Sequence, residues 1–597
     1  MREMRDIQDT RGMQDIQDIL DIRDMQVMKD MQGMQGIMDI QDMQDIQDVR
    51  DIRDIKDFQN IKDMRDMQGM QTFRTLRTFR TKSGHSGHYR HSGHNGHPGH
   101  SGHPSVEMGS KVKRDQGSLT IAHEGVSLPL PDDQLKEIAA KGKDFALCHG
   151  ILMRTKEEPY SSELLNYAPF TLFPSPLPRT CFQDALDVQT SFNYLMHLVA
   201  QDYEFLQESL KSVIEADDFI SHLWDILTTV REENSGQPIV LNLNRSDYMV
   251  DVKDPSKPSI KQIEFNTMAS SFGGLATQLT SVHRYTLELC GVMNHQSNLP
   301  DNGAATGLAQ GLVDAWKLYG NQSAAVLFLV EPVSRNVFDQ RWLEIKIHAI
   351  NPSIRVIRRN FMQIYENAEL TDDRSLTIDG IEIAVVYFRC GYVPTDFPSN
   401  KEWEAKLKME RSLAIKCPSV QSHLAGSKKI QEVLARPGML ERFIRDEEEV
   451  RKLRRTFAGL YTLDLNPEGD KTVAMAMKHP DHFVMKPQRE GGGNNLYGDD
   501  IIMELNRVKN TEERSAYIMM ERIFPPAQKN YLLKAGAPVQ LSGVLCELGI
   551  YGVFIGNGST VVENRQVGHL LRTKTLGTNE GGVAAGFAGI DSPYLID

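Results

Sequence analysis

Residues 1 to about 72 carry an apolar side chain at nearly every third position, as in DIQDMQDIQDVRDIRDIKD, and that period limits what they can build. Each residue of an α-helix turns about 100°, so a three-residue repeat drifts by about 60° per step and leaves no lasting apolar face. A 3₁₀ helix would align the stripe, but long 3₁₀ runs are uncommon, and a coiled coil needs spacings that alternate between three and four. Disorder or loose helix is the expectation. Three residues span nine coding bases, so the run also reads as translated repetitive DNA or a misplaced gene start. TFRTLRTFRT follows, and then SGHSGHYRHSGHNGHPGHSGH, which spaces His85, His88, His91, His94, His97, His100 and His103 evenly. Such a tract can chelate zinc, nickel or copper loosely, although chance expansion of the repeat is the preferred explanation.

The chain changes character after about residue 105, and from about Leu128 its composition is globular. At 597 residues it has room for two to four domains. A net charge of -13 offers no basic field to a nucleic acid. Cys148, Cys181, Cys290, Cys390, Cys417 and Cys546 are scattered singly, which fits a reducing compartment without disulfides or structural zinc. No run of eighteen apolar residues is present, the start lacks the apolar core of a secretory signal, and the acidic triplets argue against a transit peptide. The expectation is a soluble, cytoplasmic protein with neither nucleic-acid nor membrane partners.

DQLKEIAAKGKDFALCHG and DDFISHLWDILTTVREE have helical periodicity, whereas QPIVLNLNRSDYMV and IKQIEFNTMA read as strands that enter loops. SAAVLFLVE and IEIAVVYFRCGY are apolar runs short enough for buried strands, and with the helices between them they favour an α/β region. HFVMKP, SAYIMMERI and SGVLCELGIYGVFIGNGSTVVENRQVG add strands, the last pair joined through an Asn557-Gly558 turn, so that half is expected to be antiparallel sheet with helices.

MKPQREGGGNNLYG, Met485 to Gly498, sets a lysine ahead of three glycines. It is not a Walker A loop, because Asp499 and Asp500 stand where Lys and Ser or Thr should follow Gly493 and Gly498. The dinucleotide pattern fails as well, since the sixth position counted from Gly491 is Leu496. What remains is a flexible run whose amides can approach an anion closely.

Glu264 and Asn266 are two apart in IEFNT, so a strand points both to one face, and Glu490 could complete a set of hard oxygen donors for magnesium. Lys486 ends a strand and Lys428 opens a helix, two places where a cation can meet phosphate, while Lys429 reads as a solvated helix lysine. Glu521 and Glu547 interrupt apolar strands and should face a polar cavity or partner, suited to a ribose or to a further magnesium. Arg572 and Lys574 precede the glycine-rich TNEGGVAAGFAG, while Arg245 and Arg389 at strand ends can anchor carboxylates. Taken singly, each of those two arginines is more often a surface ion pair.

NRSDYM, SFGGL, FDQR, EIAVVYFR, RPGML, TFAGLY, KPQREGGGNNLYG, ELGI and VGHLLRTK, in this order, resemble the eukaryotic glutathione synthetases, members of the ATP-grasp ligases, over about four fifths of the chain. The resemblance implies an α/β (α+β) fold: an ATP-grasp region over residues 120–597 with antiparallel sheets and helices, an inserted parallel α/β substrate-binding domain at 320–425, and a low-complexity segment, 1–110, outside it. It implies a homodimer that joins glycine to γ-glutamylcysteine with ATP and Mg2+ through an acyl phosphate. Lys428, Lys486, Gly491, Gly492, Gly493, Asn495, Tyr497, Met520, Glu521, Ile523, Glu547 and Lys574 would contact ATP. Glu264, Asn266 and Glu490 would hold the metal. Arg245, Ser271, Asn336, Gln340, Arg389, Tyr392 and Arg572 would contact γ-glutamylcysteine, and Val583 and Ala584 would close over the glycine end. Arg245, Arg572 and Lys574 would be the catalytic cations. Two positions depart from the family pattern: Ala269 stands where a hydroxyl is usual, and Ser334 replaces an acidic residue. A lost hydrogen bond at such a place costs about 0.5–1.5 kcal/mol. Cys390 reads as a packing residue. The VAAG loop argues for glycine over β-alanine as the amine. The other readings are a related ligase that takes another amine, such as β-alanine or serine, and, outside enzymes, a nucleotide-binding pseudoenzyme or a metal-binding scaffold that uses the histidine tract.

Overall fold

The chain divides into two units, Met1–Lys111 and Val112–Asp597. The computed structural model describes residues 125–597 except Gly491, Glu580 and Ala585. The expectations for the triplet repeat and the histidine tract therefore lie outside the described residues.

The largest sheet has seven strands and is organised by one long hairpin. Leu541–Asn557 pairs antiparallel with Thr560–Thr575, both rich in the β-branched and aromatic residues that suit a pleated, half-buried surface. The hairpin turns at Gly558 and Ser559, one residue later than the expected Asn557-Gly558 turn, because Asn557 still pairs with Thr560. Gly558 takes φ 56°, the left-handed conformation that glycine adopts without a Cβ clash. Ile239–Asp251 lies beside the first arm and Ser259–Asn266 beside that, all antiparallel. On the other side stand Ala588–Asp591, Phe170–Thr171 and Gln528–Leu533. The last of these also pairs with Leu541–Asn557, so that end of the sheet curls back on itself.

A second sheet is parallel over four of its strands. Ala325–Leu329, buried along its whole length, lies between Val356–Arg359 and Ile381–Phe388, with Ile415–Cys417 beside the latter. Two short antiparallel strands, Leu376–Ile378 and Ala368–Leu370, finish one edge. The third sheet is antiparallel, in the order Leu460–Thr462, Tyr517–Glu521, Phe483–Pro487, Leu496–Tyr497. The helices Pro467–Lys478 and Asp499–Val508 supply Ala476, Ile501, Leu505 and Val508 to a small core shared with Met485 and Met519 of this sheet. The expected α/β region and the expected antiparallel half are thus both present. No helix among the described residues is long and apolar enough to cross a membrane.

Two polar groups tie these layers together from inside. Lys429, expected to be solvated, is 2% exposed. Its ammonium reaches Asp464 at 2.6 Å, Thr462 at 3.0 Å and Glu432 at 3.1 Å, joining the Lys428–Ala435 helix to the end of the Leu460–Thr462 strand. Helical periodicity could not reveal this, because the lysine's partner Asp464 lies 35 residues on, in the bend after that strand. Asp591, at the end of its strand, accepts hydrogen bonds from Thr573 Oγ1 at 2.6 Å and from the backbone amides of Ser592 and Ser175 at 2.7 and 3.2 Å. Burial pushes its carboxyl up to about 6 against these bonds.

Removing one member of a buried ion pair strands the others, so Lys429→Ala is expected to lower stability by about 3–5 kcal/mol in urea unfolding; a loss within about 0.5 kcal/mol would return Lys429 to the surface. Asp591 gives a pH signature. Its folded pKa lies above the ordinary carboxylate value, so the folded state holds the extra proton and gains stability at low pH. That contribution is complete below about 4 and lost as pH rises through about 6. Comparing urea midpoints between pH 4 and 7, Asp591→Asn should flatten this component, and an unchanged profile would contradict the assignment.

Candidate active site

A cavity of about 500 Å³ opens where the three sheets meet. The large sheet contributes Arg245, Glu264, Asn266, Glu547, Arg572 and Lys574; the antiparallel sheet brings Lys486, Met520 and Glu521; and the parallel sheet's loops bring Glu331, Asn336, Arg389 and Tyr392.

At its floor, Asp247 is 0% exposed and holds two arginines at once. Arg245 Nε and Nη2 meet its two oxygens at 2.6 and 2.8 Å, a bidentate pair, and Arg572 Nη2 reaches it at 2.9 Å. Asn266 Nδ2 donates to the same carboxylate at 2.9 Å and to the Arg245 carbonyl at 3.1 Å. Strand register makes this possible: Arg245 lies opposite Asn266, Asp247 opposite Glu264, and Glu547 opposite Arg572. Gly549 lies opposite Asp247, where a Cβ would fall 2.7 Å from its Oδ1 and 2.8 Å from Arg245 Cδ. The arginine pair therefore requires a bare backbone at Gly549. Burial works against charge on Arg245, but Asp247 outweighs it and holds the pKa above its ordinary value. Arg572 also contacts Glu547.

Beside this floor lies an alternation of charges. Lys428 Nζ is 2.8 Å from Glu490 and 3.5 Å from Glu264. Burial opposes charge on Lys428, yet the two carboxylates raise its pKa. Glu264 is pulled the other way: against burial, Lys428, Lys486, Arg572 and Arg245 bring it down to about 2. Lys486 donates to the Ile263 carbonyl at 2.8 Å, and burial lowers its pKa to about 8. Glu490 is raised, first by burial and then by its neighbour Glu264, against the pull of Lys428. This is a site of fixed, opposed charges, where added phosphate would find cations already placed.

One wall of the cavity is a strained loop. Ala269 and Phe272 take φ 50° and 75°, a conformation costing on the order of 1–3 kcal/mol per non-glycine residue. Asp339, 2% exposed, holds the loop by accepting from the Phe272 and Gly274 amides at 2.7 and 2.9 Å where the Gly273–Leu289 helix begins. Arg389 Nη2 bonds Ser271 Oγ at 2.8 Å and approaches Asp339 at 3.4 Å. Arg245 Nη1 and the Tyr551 hydroxyl both donate to the Ser271 carbonyl, at 3.2 and 2.6 Å. Two arginines from different sheets thus hold the backbone of one loop.

Nearly every candidate residue comes together here. Arg245, Ser271, Asn336, Gln340, Arg389, Tyr392, Arg572, Val583 and Ala584 line the cavity, as do Glu264, Asn266, Glu490, Lys486, Gly492, Asn495, Tyr497, Met520, Glu521, Ile523, Glu547 and Lys574. Lys428 stands behind Glu264 and Glu490. Gly493 is not among the lining residues, and Gly491 lies outside the described residues. Arg245 and Arg389 are 6% and 5% exposed, so neither is a surface ion pair. Glu521 pairs with Lys253, and Lys574 donates to the Asn579 carbonyl at 2.6 Å, on the glycine-rich loop. Asp247, Asp339, Glu331 and Arg335 escaped the reading of single residues. The first two sit inside NRSDYM and FDQR; a charged residue within the buried strand Ile239–Asp251 was the available signal for Asp247, whereas Asp339 lies in the first turn of the Val337–Ile350 helix.

Known proteins resemble the chain over the region that builds this cavity. The family model described as eukaryotic glutathione synthase, ATP binding domain, matches residues 132–595. The chain is 48% identical over 471 residues to the glutathione synthetase of Homo sapiens, covering 79% of this chain and 99% of that protein. It is 47% identical over 463 residues to the Xenopus laevis glutathione synthetase, covering 77% and 97%. The chloroplastic glutathione synthetase of Arabidopsis thaliana is 39% identical over 475 residues, covering 78% and 86%. A solved structure of a glutathione synthetase-like effector from Globodera pallida, in its apo form, superposes with a TM-score of 0.64 at 25% identity, covering 78% of this chain and 98% of that one. With a cavity built from the sheets of the matched region, and with relatives aligned over almost their whole length, the chain belongs to the eukaryotic glutathione synthase family, a family of ATP-binding ligases.

Proposed function

We propose that the enzyme joins glycine to γ-glutamylcysteine at the expense of ATP, giving glutathione, ADP and phosphate through an acyl phosphate. The observation that carries this reading is that Glu264 and Glu490, bridged from behind by Lys428, line the same cavity as Arg245 and Arg572, which share Asp247. A cysteinyl carboxylate oxygen attacks the γ-phosphorus and ADP leaves. The glycine amine then attacks the activated carbonyl carbon, losing its proton as phosphate departs. No protein nucleophile is needed, and placement and charge compensation supply the catalysis.

Lys428, Lys486 and Lys574 are assigned to the ATP phosphates, with Gly491, Gly492, Gly493, Asn495 and Tyr497 covering them. Met520, Ile523, Glu521 and Glu547 are assigned to the nucleoside. Arg245, Ser271, Asn336, Gln340, Arg389, Tyr392 and Arg572 position the dipeptide, and Val583 and Ala584 close the glycine end. On this reading residues 320–425 form a substrate-binding subdomain inside the 120–597 ligase region. A homodimer in the cytoplasm completes the proposal.

The donors Glu264, Asn266 and Glu490 fit magnesium. Among the described residues no three His, Cys, Asp or Glu side chains could hold a metal ion by themselves. Two carboxylates and one amide oxygen suit an ion that relies on substrate phosphates for its remaining ligands. The Asn266 amide nitrogen is committed to Asp247 and to the Arg245 carbonyl, which leaves its oxygen for a cation. When bound, magnesium would neutralise phosphate charge that develops during transfer. Asp247 fixes Asn266, and Lys428 balances the two glutamates.

The test is phosphate release from ATP by the purified protein. Release should require γ-glutamylcysteine and should be faster with glycine than with β-alanine. Glu490→Gln should lower kcat by about 100-fold or more. ATP binding without any release would favour a pseudoenzyme instead.

A further inference from the structure

The cavity's dipeptide end is rich in fixed cations and poor in free anions. Arg389 and Arg245 stand over the Ser270–Ser271 backbone, ready for carboxylates. An amino-acid head group also brings an ammonium, which needs an anion of its own. Most carboxylates nearby are already engaged. Asp339 is taken by the Phe272 and Gly274 amides and by Arg389. Asp396 Oδ2 accepts from the Gly391 and Tyr392 amides at 2.7 and 3.0 Å. Neither is a lining residue. Glu264 and Glu490 share Lys428, Glu547 meets Arg572, and Glu521 meets Lys253.

Glu331 is different. It follows the buried Ala325–Leu329 strand, lines the cavity, is half-buried and faces the hydroxyls of Ser334 and Tyr392. It makes no ion pair with any described residue. Burial and the nearby charge of Asp396 raise its pKa, and the pull of Arg389 and the two hydroxyls does not offset them. Ser334, three residues on, is neutral and accepts from Gln340 Nε2 at 3.2 Å, so the Glu331–Asn336 segment brings one acidic side chain to the cavity.

We propose that Glu331 is the counter-ion for the α-ammonium of the γ-glutamyl substrate and sets the enzyme's requirement for a free amino group there. The inference rests on the ligase reading above. A neutral Glu331 side chain leaves the ammonium desolvated without an anion, a loss felt in substrate binding and not in the phosphate chemistry.

The experiment measures phosphate release with γ-glutamylcysteine and with N-glutarylcysteine, the same molecule without its amino group. It compares the wild-type protein, Glu331→Gln, Glu331→Asp and the double variant Glu331→Gln, Ser334→Asp. Glu331→Gln should raise KM for γ-glutamylcysteine by about 10- to 100-fold, with kcat and the KM values for ATP and glycine within about threefold of wild type. The wild-type preference for the amino-bearing dipeptide should shrink by the same factor in Glu331→Gln and return in part in Glu331→Asp and in the double variant. An unchanged preference in Glu331→Gln overturns the assignment, as does a rise in all three KM values together, which marks a structural role. Absence of turnover by the wild type with either dipeptide overturns the ligase reading itself, an outcome distinct from turnover with an unaltered preference.

Discussion

A single buried carboxylate organises the reactive end of this molecule. Asp247 binds Arg245 through both oxygens, holds Arg572 from the neighbouring hairpin, and orients Asn266 across the strand pair. Two arginines brought this close would repel each other in a low-dielectric site, and their shared anion makes the arrangement stable. The rest follows from it. Gly549 must lack a side chain, Tyr551 can brace the Ser271 carbonyl beside Arg245, and the oxygen of Asn266 is left beside Glu264.

The site balances its charges internally before any ligand enters. Lys428 lies between Glu264 and Glu490, Arg572 meets Asp247 and Glu547, and Lys486 and Lys574 are held by backbone carbonyls. Preorganised charge of this kind needs little rearrangement when phosphate charge develops, which is where such sites contribute most to rate. It also explains why the loop from Thr267 to Phe272 tolerates strained backbone. Asp339 and Arg389 hold it from one side and Arg245 and Tyr551 from the other, so neighbouring interactions offset the local cost.

Much of the site was legible because local rules place side chains. The period of two along a strand set Glu264 and Asn266 on one face, and strand and helix ends located Lys486 and Lys428. The order of the quoted motifs then gave the family, and with it the roles proposed for these residues. What stayed hidden depends on register between distant segments. Asp247 and Arg572 are 325 residues apart, and their contact exists only because two strands flank the same hairpin arm. Asp339 holds an amide 67 residues away. Lys429 was misread for the same reason, since its partner Asp464 lies 35 residues on, in the bend after the Leu460–Thr462 strand. The one-residue shift of the hairpin turn is a matter of pairing register, which Asn557 and Gly558 alone do not decide.

The central claim, that Asp247 makes the proposed dipeptide and nucleotide sites one unit, is tested most directly by calorimetric titration of Asp247→Asn. The substitution keeps the side-chain shape and removes the shared charge. With the variant folded by circular dichroism, the affinities for γ-glutamylcysteine and for ATP with magnesium should fall together, each by about tenfold or more. A variant that binds either ligand as tightly as the wild type would contradict the account.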